Sequence, residues 1–377
     1  MAKQKDETPV PATKKAAALR APTLVGLQAK ADRLDKTLVT LLNQRAELAL
    51  KLYELSQSSG QPTAILGAFE ETVAKAVEAS PGPLPARCLR AIFRELLSGT
   101  RSLVRELRIA FLGPLYSYSH LAAIRRFGQA VEFMPVGSIA AVFEEVNRGH
   151  SDFGLVPLEN STDGRVADTL DMFTRLPVRI CGEVELEIHH FLLAKCSRAE
   201  VKEVYSRPQA LSQCRNWLAK HLPAARTIEV TSTSTAAQLA AEKLGAAAIA
   251  SLEAGVHYGL AVLAENIEDN PGNTTRFALI GDQSAPRTSH DKTAMMFQVE
   301  HRPGALAEAM NVFKRNRLNL TWIESFPIPG SKRAYLFFVE MEGHQEDVRV
   351  RRAMKGLARK TLRLEILGSF PAAASTE

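Results

Sequence analysis

Cysteine is scarce in this sequence of 377 residues, and the four that occur lie far apart without a CxxC pair: Cys88, Cys181, Cys196 and Cys214. This spacing argues against a disulfide framework and a structural zinc site, and it indicates reduced thiols. Apolar runs long enough to cross a bilayer are also missing. The first residues lack the hydrophobic core of a signal peptide. We therefore expect a cytoplasmic protein with no membrane partner.

Dense blocks of like charge are absent as well, because the formal net charge of +6 is spread along the chain. This argues against nucleic acid as a partner and favours small molecules. The length allows two or three domains with a sizeable core. Residues 1–23 are rich in Lys, Ala and Pro, and we expect them to form a disordered tail.

The stretch DFGLVPLENSTDGRVADTLDMF, residues 152–173, combines a buried strand, a polar turn and the start of a helix. Pro157 prevents the strand ladder from continuing beyond it. In open α/β sheets, a helix that begins at the carboxyl end of a strand is a common anion site. The alternative is an ordinary capped turn between strand and helix, and this stretch alone leaves both open.

Three further turns share this pattern of hydroxyl-bearing residues: GPLYSYSH at 113–120, TSTSTAA at 231–237 and NTTRF at 273–277. Strands and helices alternate between them, which predicts a parallel sheet with right-handed crossovers. We expect a second lobe to begin around Glu183. Four such turns in one segment favour a ligand site more strongly than any one of them does.

The chain ahead of this segment is helical in pattern, with predicted helices from Leu24 to about Gly60, from Ala64 to Ala79 and from Ala86 to Leu107. Three helices cannot bury the long leucine stripe of the first, so we expect a dimer. Arg45 occupies a position where that stripe calls for an apolar residue. It must meet either an anionic ligand or a carboxylate such as Glu70, Glu71 or Glu95.

The helical segment, with LDKTLVTLLNQRAELA and GPLPARCLRAIFRELLSGTRSL, resembles the all-helical chorismate mutase domain that is fused to prephenate dehydratases. Arg45 matches one of the family's arginines, but Gln28, Ser56 and Val104 replace three of its polar or charged site residues. Because this catalysis depends on cations around a dianion, we expect residues 24–106 to be a degenerate domain kept for dimerisation, with chorismate mutase activity doubtful. The alternative is a bifunctional enzyme with an active N-terminal domain.

Residues 107–285 resemble the prephenate dehydratase domain, since GPLYSYSHLAA, VPLENSTDG, YSRPQALSQCR, TSTSTAA and NTTRFALIG follow in the family's order. The resemblance implies two α/β lobes like those of a periplasmic binding protein. It also implies loss of carbon dioxide and water from prephenate to give phenylpyruvate, without metal or other cofactor. Leu115, Tyr116 and Arg207 depart from the family pattern, and Tyr116 stands where glycine is usual.

The resemblance assigns Thr275 as the essential threonine, and we expect it to donate a hydrogen bond to the leaving hydroxyl. Glu159 is a candidate for the proton relay, since a threonine alone is a poor acid. Arg276 is either a clamp for a substrate carboxylate or part of a structural ion pair. The other expected substrate-binding residues carry hydroxyl or amide groups: Asn160, Ser161, Thr162, Ser119, Thr233 and Ser234.

Residues 286–377 show the order strand, helix, strand, strand, helix, strand of a ferredoxin-like α+β unit. With RPGALAEAMNVF and NLTWIESFP they resemble an ACT domain, which implies feedback regulation by L-phenylalanine and a homodimer or tetramer. The implied ligand residues are Gly304, Ala305, Leu306, Glu324 and Ser325, with Phe326 departing from the family motif. Two alternatives are an ACT fold that only dimerises, and a chain that is a non-catalytic amino-acid sensor.

Overall fold

The structure is a computed structural model that describes residues 23–58, 67–282, 284–328 and 335–373. The predicted disordered tail, residues 1–23, lies outside these ranges except for Thr23. The chain divides into two compact units, Met1–Leu52 and Tyr53–Glu377, and each is described by itself. Among the described residues, no helix is both long and apolar enough to cross a membrane.

Within the first unit the described residues form most of helix α1 (Leu24–Ser58), which ends close to the predicted position. Eight leucines of its apolar stripe, the last of them beyond that unit, are each at least half exposed in the single chain: Leu24, Leu27, Leu34, Leu38, Leu41, Leu48, Leu52 and Leu55. An exposed apolar stripe of this length is typical of a helix that packs against another protein surface. The predicted dimer remains a prediction.

The second unit contains helices α2 (Gly67–Glu78) and α3 (Ala86–Ser102). Pro85 precedes α3, since proline is well tolerated where a helix begins. The helix ends at Ser102 rather than at the predicted Leu107, because the chain must extend before the first strand. Ser98 and Glu95 of α3 accept backbone hydrogen bonds from Ala130 and Gln129, so α3 packs on the α/β region.

The first lobe of the α/β region is a sheet in the order β2-β1-β3-β11-β5, with β4 paired to β3. Its strands are β1 (Arg108–Leu112), β2 (Glu132–Val136), β3 (Phe153–Asn160), β4 (Gly164–Arg165), β5 (Arg179–Glu187) and β11 (Thr274–Gly281), and its helices are α4 (Tyr118–Phe127), α5 (Ile139–Asn147) and α6 (Ala167–Arg175). The predicted parallel pairing holds for β1 with β2 and β3. Strand β11 runs antiparallel between β3 and β5.

The second lobe is a sheet in the order β10-β6-β9-β7-β8. Its strands are β6 (Phe191–Ala194), β7 (Glu203–Ser206), β8 (Arg226–Glu229), β9 (Ala246–Ala250) and β10 (Ala261–Ala264), and its helices are α7 (Pro208–Gln213), α8 (Arg215–His221), α9 (Thr233–Glu242) and α10 (Leu252–His257). The predicted start around Glu183 is too early, because β5 continues in the first sheet to Glu187. Alternation along a strand does not identify its sheet, whereas pairing with β11 does.

The C-terminal region forms an antiparallel sheet in the order β13-β14-β12-β15. Its elements are β12 (Asp291–Gln298), α11 (Ala305–Arg315), β13 (Leu320–Pro327), β14 (Tyr335–Glu342), α12 (Val348–Ala358) and β15 (Arg363–Pro371). This sheet shares one hydrophobic cluster with the first lobe, in which Phe338 and Phe370 join Ile280. Gly368 permits the contact, because a Cβ atom there would lie 2.0 Å from the carbonyl oxygen of Ile180.

Candidate active site

Asn160 is the hub of hydrogen bonds where β3 and β11 meet, directly opposite Thr275. Its side-chain oxygen accepts from the backbone N–H groups of Thr162 at 3.0 Å and Asp163 at 3.1 Å. Since backbone N–H groups only donate, these contacts orient the amide. The nitrogen therefore faces β11 and donates to Asn273 Oδ1 at 2.9 Å and Thr275 Oγ1 at 2.8 Å. The hydrogen-bonding capacity of this buried side chain is used within the protein.

The orientation of Asn160 also determines how Thr275 presents its hydroxyl group. A hydroxyl carries one proton and can accept at its oxygen. Because Thr275 Oγ1 accepts from Asn160, its own proton points away from that amide. Thr275 is only half-buried. The arrangement suits a hydroxyl that donates its proton to a bound ligand.

A series of hydrogen-bonded polar side chains leads from this hub to the segments that connect the two lobes. Asn273 Nδ2 donates to Gln213 Oε1 at 3.1 Å, and the same oxygen lies 2.9 Å from His190 Nε2. His190 Nδ1 lies 3.1 Å from the hydroxyl of Tyr118. Burial lowers the pKa of His190 and raises the pKa of Tyr118 well above its usual value, so both stay neutral near pH 7. The side chains of this hydrogen-bonded series are therefore uncharged near pH 7.

A second contact between the lobes joins the turn after β3 to helix α7. Asp163 Oδ2 accepts from Gln213 Nε2 at 3.0 Å and from Gln209 Nε2. Gln213 is therefore held by Asn273 through its oxygen and by Asp163 through its nitrogen. This double contact fixes the distance between helix α7 and the ends of β3 and β11.

The predicted hydroxyl residues occupy two different places. Ser161 and Thr162 lie in the turn beside Asn160, where Ser161 Oγ accepts from the Thr274 N–H at 2.9 Å and Thr162 Oγ1 donates to Asn273 Oδ1 at 3.3 Å. Ser119 and Thr233 lie in the first turns of α4 and α9 and are nearly buried. The structure therefore joins Asn160, Thr162 and Thr275 by hydrogen bonds and places Ser119 and Thr233 at separate helix starts.

Ser234, the remaining predicted hydroxyl, connects the lobes instead of lining an open surface. It is fully buried, and its Oγ donates to the carbonyl oxygen of Leu115 at 2.7 Å. The capping residue of α9 is its neighbour Ser232, which accepts from the Thr235 N–H at 2.9 Å. The TSTSTAA turn thus includes an ordinary helix cap at Ser232 and a hydrogen bond between the lobes at Ser234.

Tyr116, which departs from the family pattern, forms a further contact between the lobes. Its φ of 63° is left-handed, a conformation that strains a bulky residue. Its ring stacks on His257 of α10 at 3.9 Å between centroids, and its N–H donates to His120 Nδ1 at 3.0 Å. Burial lowers the pKa of His120 to about 4, so that this nitrogen remains an acceptor at neutral pH.

Arg276 and Glu159 lie on the face of the sheet opposite Thr275 and Asn160, because successive side chains of a strand alternate between faces. The Arg276 guanidinium contacts Glu340 at 2.5 Å, Glu183 at 3.2 Å and Glu159 at 3.4 Å. Of the two predicted roles of Arg276, the structural ion pair is the one these contacts describe. The structure does not bring Glu159 beside Thr275, as the predicted relay required.

The predicted regulatory residues lie in the C-terminal region on two elements. Gly304 precedes α11 with a φ of 81°, which favours glycine, and Ala305 and Leu306 begin the helix. Glu324 and Ser325 lie on β13, where Arg165 Nη1 donates to Glu324 Oε2 and to the Ser325 carbonyl oxygen, both at 2.8 Å. Arg165 belongs to β4, which pairs with β3 at Asn160, so these contacts connect the β3–β4 hairpin to β13.

In the helical region, Arg45 is half-buried on α1. Of the carboxylates considered for it, Glu71 pairs with Lys75 at 2.6 Å and Glu95 with Arg94 at 2.9 Å. The side chains of Ser56 and Glu70 lie outside the described residues. Within the described part of the chain, no group of three His, Cys, Asp or Glu side chains is arranged to hold a metal ion.

Sequence reasoning missed five residues that organise the site: Tyr118, Asp163, Gln209, Gln213 and Asn273. Gln209 and Gln213 are four residues apart within YSRPQALSQCR, so both project from one side of α7. That spacing is a signal that sequence inspection could have used. The contact of Asn273 with Gln213 joins residues 60 positions apart in the chain and had no local signal.

Comparison with known proteins identifies two family matches. The model of the prephenate dehydratase family matches residues 109–285, and the model of chorismate mutase type II matches residues 27–105. Two similar proteins are the bifunctional chorismate mutase/prephenate dehydratases of Aquifex aeolicus, 40% identical, and Stutzerimonas stutzeri, 38% identical. Each alignment covers 93% of this chain and 98% of the relative.

A solved structure is similar over much of this chain. It is the prephenate dehydratase of Arthrobacter aurescens in complex with L-Phe, with 34% sequence identity and a TM-score of 0.66. The alignment covers 71% of this chain and 90% of that one.

These matches correct the expectation that residues 24–106 form a degenerate domain with doubtful chorismate mutase activity. That expectation rested on single positions such as Gln28, Ser56 and Val104. The chorismate mutase type II match instead covers residues 27–105, and relatives named for both activities align along nearly the whole chain. Replacement at a few positions was therefore insufficient ground for the conclusion.

Proposed function

The chain belongs to the family of bifunctional chorismate mutase/prephenate dehydratases, and on that premise we propose that its two α/β lobes convert prephenate to phenylpyruvate with loss of carbon dioxide and water. The observation that carries the proposal is the hydrogen bond from Asn160 Nδ2 to Thr275 Oγ1. It leaves the proton of the Thr275 hydroxyl free to be donated to the substrate. The chemistry requires such a donor, because the hydroxyl that leaves the ring must be protonated.

In this proposal Thr275 donates a hydrogen bond to the leaving hydroxyl as its bond to carbon breaks. The ring becomes aromatic as carbon dioxide departs, so the protein needs mainly to orient the substrate and supply the proton. A water relay resupplies Thr275, since a threonine is a weak acid. We assign no proton transfer to Glu159, because its side chain contacts Arg276 at 3.4 Å on the other face of the sheet.

The two substrate carboxylates need different surroundings. The pyruvyl carboxylate, which stays, is bound by the first turns of α4 and α9 with the hydroxyls of Ser119 and Thr233. The ring carboxylate, which leaves, occupies a drier place, because binding it tightly would stabilise the ground state. The uncharged side chains of Asn273, Gln213 and His190 support such a place, since they offer no cation to the departing carboxylate.

A steady-state assay with prephenate tests this function. The Thr275→Val variant keeps the shape of the side chain and removes the hydroxyl, so we expect kcat to fall by about 10²-fold or more. Thr275→Ser is the matched control, which retains the donor and should stay within about tenfold of the wild type. Near-normal turnover by Thr275→Val would remove this residue from the mechanism, and no turnover by the wild type would refute the function.

A second candidate function is chorismate mutase activity in the helical region. The observation that favours it is the family match over residues 27–105 together with the bifunctional relatives. The Thr275→Val variant offers a clean assay, because prephenate formed from chorismate should accumulate when its dehydration is blocked. Chorismate left unconsumed in that assay would refute this candidate.

We also propose that residues 286–377 are an ACT domain that binds L-phenylalanine, with Gly304, Ala305, Leu306, Glu324 and Ser325 as ligand residues. The similar structure of the Arthrobacter aurescens protein, which contains L-Phe, supports this. Titration of the full chain with L-phenylalanine, followed by calorimetry and by dehydratase rate, tests it. Binding without a change in rate would indicate a domain that does not regulate, and no binding would refute the assignment.

For the assembly we propose a homodimer or tetramer in the cytoplasm. The exposed leucine stripe of α1 supports association, since a stripe of eight leucines at least half exposed is unfavourable in water. Sedimentation of the full chain tests the oligomeric state, and a monomer at micromolar concentration would refute it.

A further inference from the structure

Glu340 is a buried carboxylate that reaches from the C-terminal sheet into the first lobe. Its side chain is 1% exposed and contacts Arg276 Nη2 through both oxygens, at 2.5 and 2.6 Å. Along β14, Leu336, Phe338 and Glu340 share one face, since side chains two apart point the same way. Leu336 and Phe338 belong to the hydrophobic cluster shared with the first lobe. Glu340 is therefore the charged member of an apolar surface between the two regions.

Two buried carboxylates, two cations and the partly exposed Glu159 form the cluster of charges around Arg276. Glu340 and Glu183 supply two carboxylates that are 1% and 2% exposed. Arg276 and Lys292 supply two cations, and Lys292 Nζ contacts Glu183 at 2.7 Å. A buried ion network of this kind is sensitive to the loss of one member, because the remaining charge is then left uncompensated. Its geometry therefore holds Arg276 in one position.

The position of Arg276 matters because Thr275 precedes it in β11. Consecutive residues of a strand face opposite sides, so Thr275 points toward Asn160 while Arg276 points toward Glu340. The partner strand repeats this arrangement, with Asn160 on the front and Glu159 behind it, 3.4 Å from Arg276. The Arg276 guanidinium thus connects the ends of β3 and β11 on the face of the sheet opposite Asn160 and Thr275.

We propose that Glu340 is a positioning residue for the dehydratase reaction, acting through Arg276 on the hydroxyl of Thr275. The C-terminal sheet then stabilises the active site from the opposite face of the first-lobe sheet, in addition to any regulatory role. This inference rests on the proposed dehydratase function. Positioning residues act on the rate of the chemical step, because a small displacement of a donor weakens its bond in the transition state.

The test uses the full chain and compares Glu340→Gln with Glu340→Asp. Glu340→Gln keeps the size of the side chain and removes its charge, and we expect kcat for prephenate to fall at least tenfold while KM changes less than threefold. Glu340→Asp keeps the charge on a shorter side chain and should recover part of the lost kcat. Glu342→Gln is the matched control on the same strand, where the exposed carboxylate contacts Asn319 and should leave kcat unchanged.

Hydrogen exchange at the amides of residues 274–277 provides a second readout, and it applies even if Glu340→Gln is poorly stable, because Glu340→Asp can be measured instead. We expect the amides of residues 274–277 to exchange faster in those Glu340 variants in which kcat is lower. A kcat within twofold of the wild type in folded Glu340→Gln would overturn the inference, as would an equal loss in Glu342→Gln. An inactive wild type would instead refute the proposed function, so the two failures are distinguishable.

Discussion

Replacement of Asn160 by aspartate tests how the hub directs the Thr275 proton. The two side chains have nearly the same shape, but an ionised carboxylate has no proton to donate. The bonds to Thr162 and Asp163, in which residue 160 accepts, survive the change. Of the two bonds in which it donates, the bond to Asn273 is lost and the bond to Thr275 is reversed, because the Thr275 hydroxyl can donate to the carboxylate. The change therefore reverses the polarity of the site and adds a buried negative charge.

The effect on stability follows from the lost bond to Asn273, at 2.9 Å, and from the buried charge. At about 1 kcal/mol for the lost bond, the free energy of unfolding should fall by at least that amount, and desolvation of the carboxylate lowers it further. The larger effect is on turnover, because Thr275 then donates its proton to the introduced carboxylate and not to the substrate. Loss of one preorganised donor costs about 10²–10³ in kcat, and we expect Asn160→Asp to show a loss of this size.

Steady-state rates with prephenate across a pH series provide the assay. When the pH falls, the introduced carboxyl group takes up a proton and can again donate, so the ratio of variant to wild-type kcat should rise toward acid. Asn311→Asp, at an exposed position on α11, is the matched control for the change in charge. A loss of less than threefold in Asn160→Asp, or a ratio that does not depend on pH, would refute the proposed direction of the Thr275 proton.

Two further predictions concern stability. Burial holds the pKa of His120 at about 4 instead of 6.5, so the unfolded chain binds the extra proton between these values and stability rises with pH across this window. At 1.36 kcal/mol for each pKa unit, the free energy of unfolding should rise by about 3 kcal/mol across this window. Urea titrations at several pH values should show that the free energy of unfolding of His120→Gln depends less on pH. Gly304→Ala should lower the free energy of unfolding by about 1 kcal/mol, because its φ of 81° strains any side chain although no atom lies within 4 Å. Gly99→Ala, inside helix α3 with the same open space, should instead raise it by about 0.5–1 kcal/mol. Equal effects at the two glycines would contradict the backbone argument.

The three helices of the N-terminal region show what local pattern predicts well. The leucine spacing that begins at Leu24 predicted α1 nearly to its observed end at Ser58. Pro85 likewise predicted the start of α3. These features depend on residues within a few positions of each other, which is why the sequence alone reveals them.

The partners of charged residues were harder to predict. Arg276 was assigned either to a substrate carboxylate or to an ion pair, and Glu159 to a proton relay. Which alternative holds depends on Glu340, which is 64 residues from Arg276 in the chain. Local sequence contains no information about a partner at that distance.

The N-terminal region shows the opposite error, in which too much was concluded from single positions. The absence of expected cations at Gln28 and Ser56 suggested an inactive domain, while the match to chorismate mutase type II covers residues 27–105 as a whole. A pattern that extends over a domain identifies a family more securely than a few of its residues identify an activity.

By itself, the sequence indicated the family through the order of its motifs, and it predicted the N-terminal helices and the hydroxyl-bearing turns, because these depend on short-range periodicity and local hydrogen bonding. Only the tertiary structure decided which face of the sheet each side chain occupies and what it meets there. Strand pairing places Thr275 beside Asn160 and turns Arg276 toward Glu340. The physical reason is that register and the packing of one sheet on another are set by contacts between residues far apart in the chain.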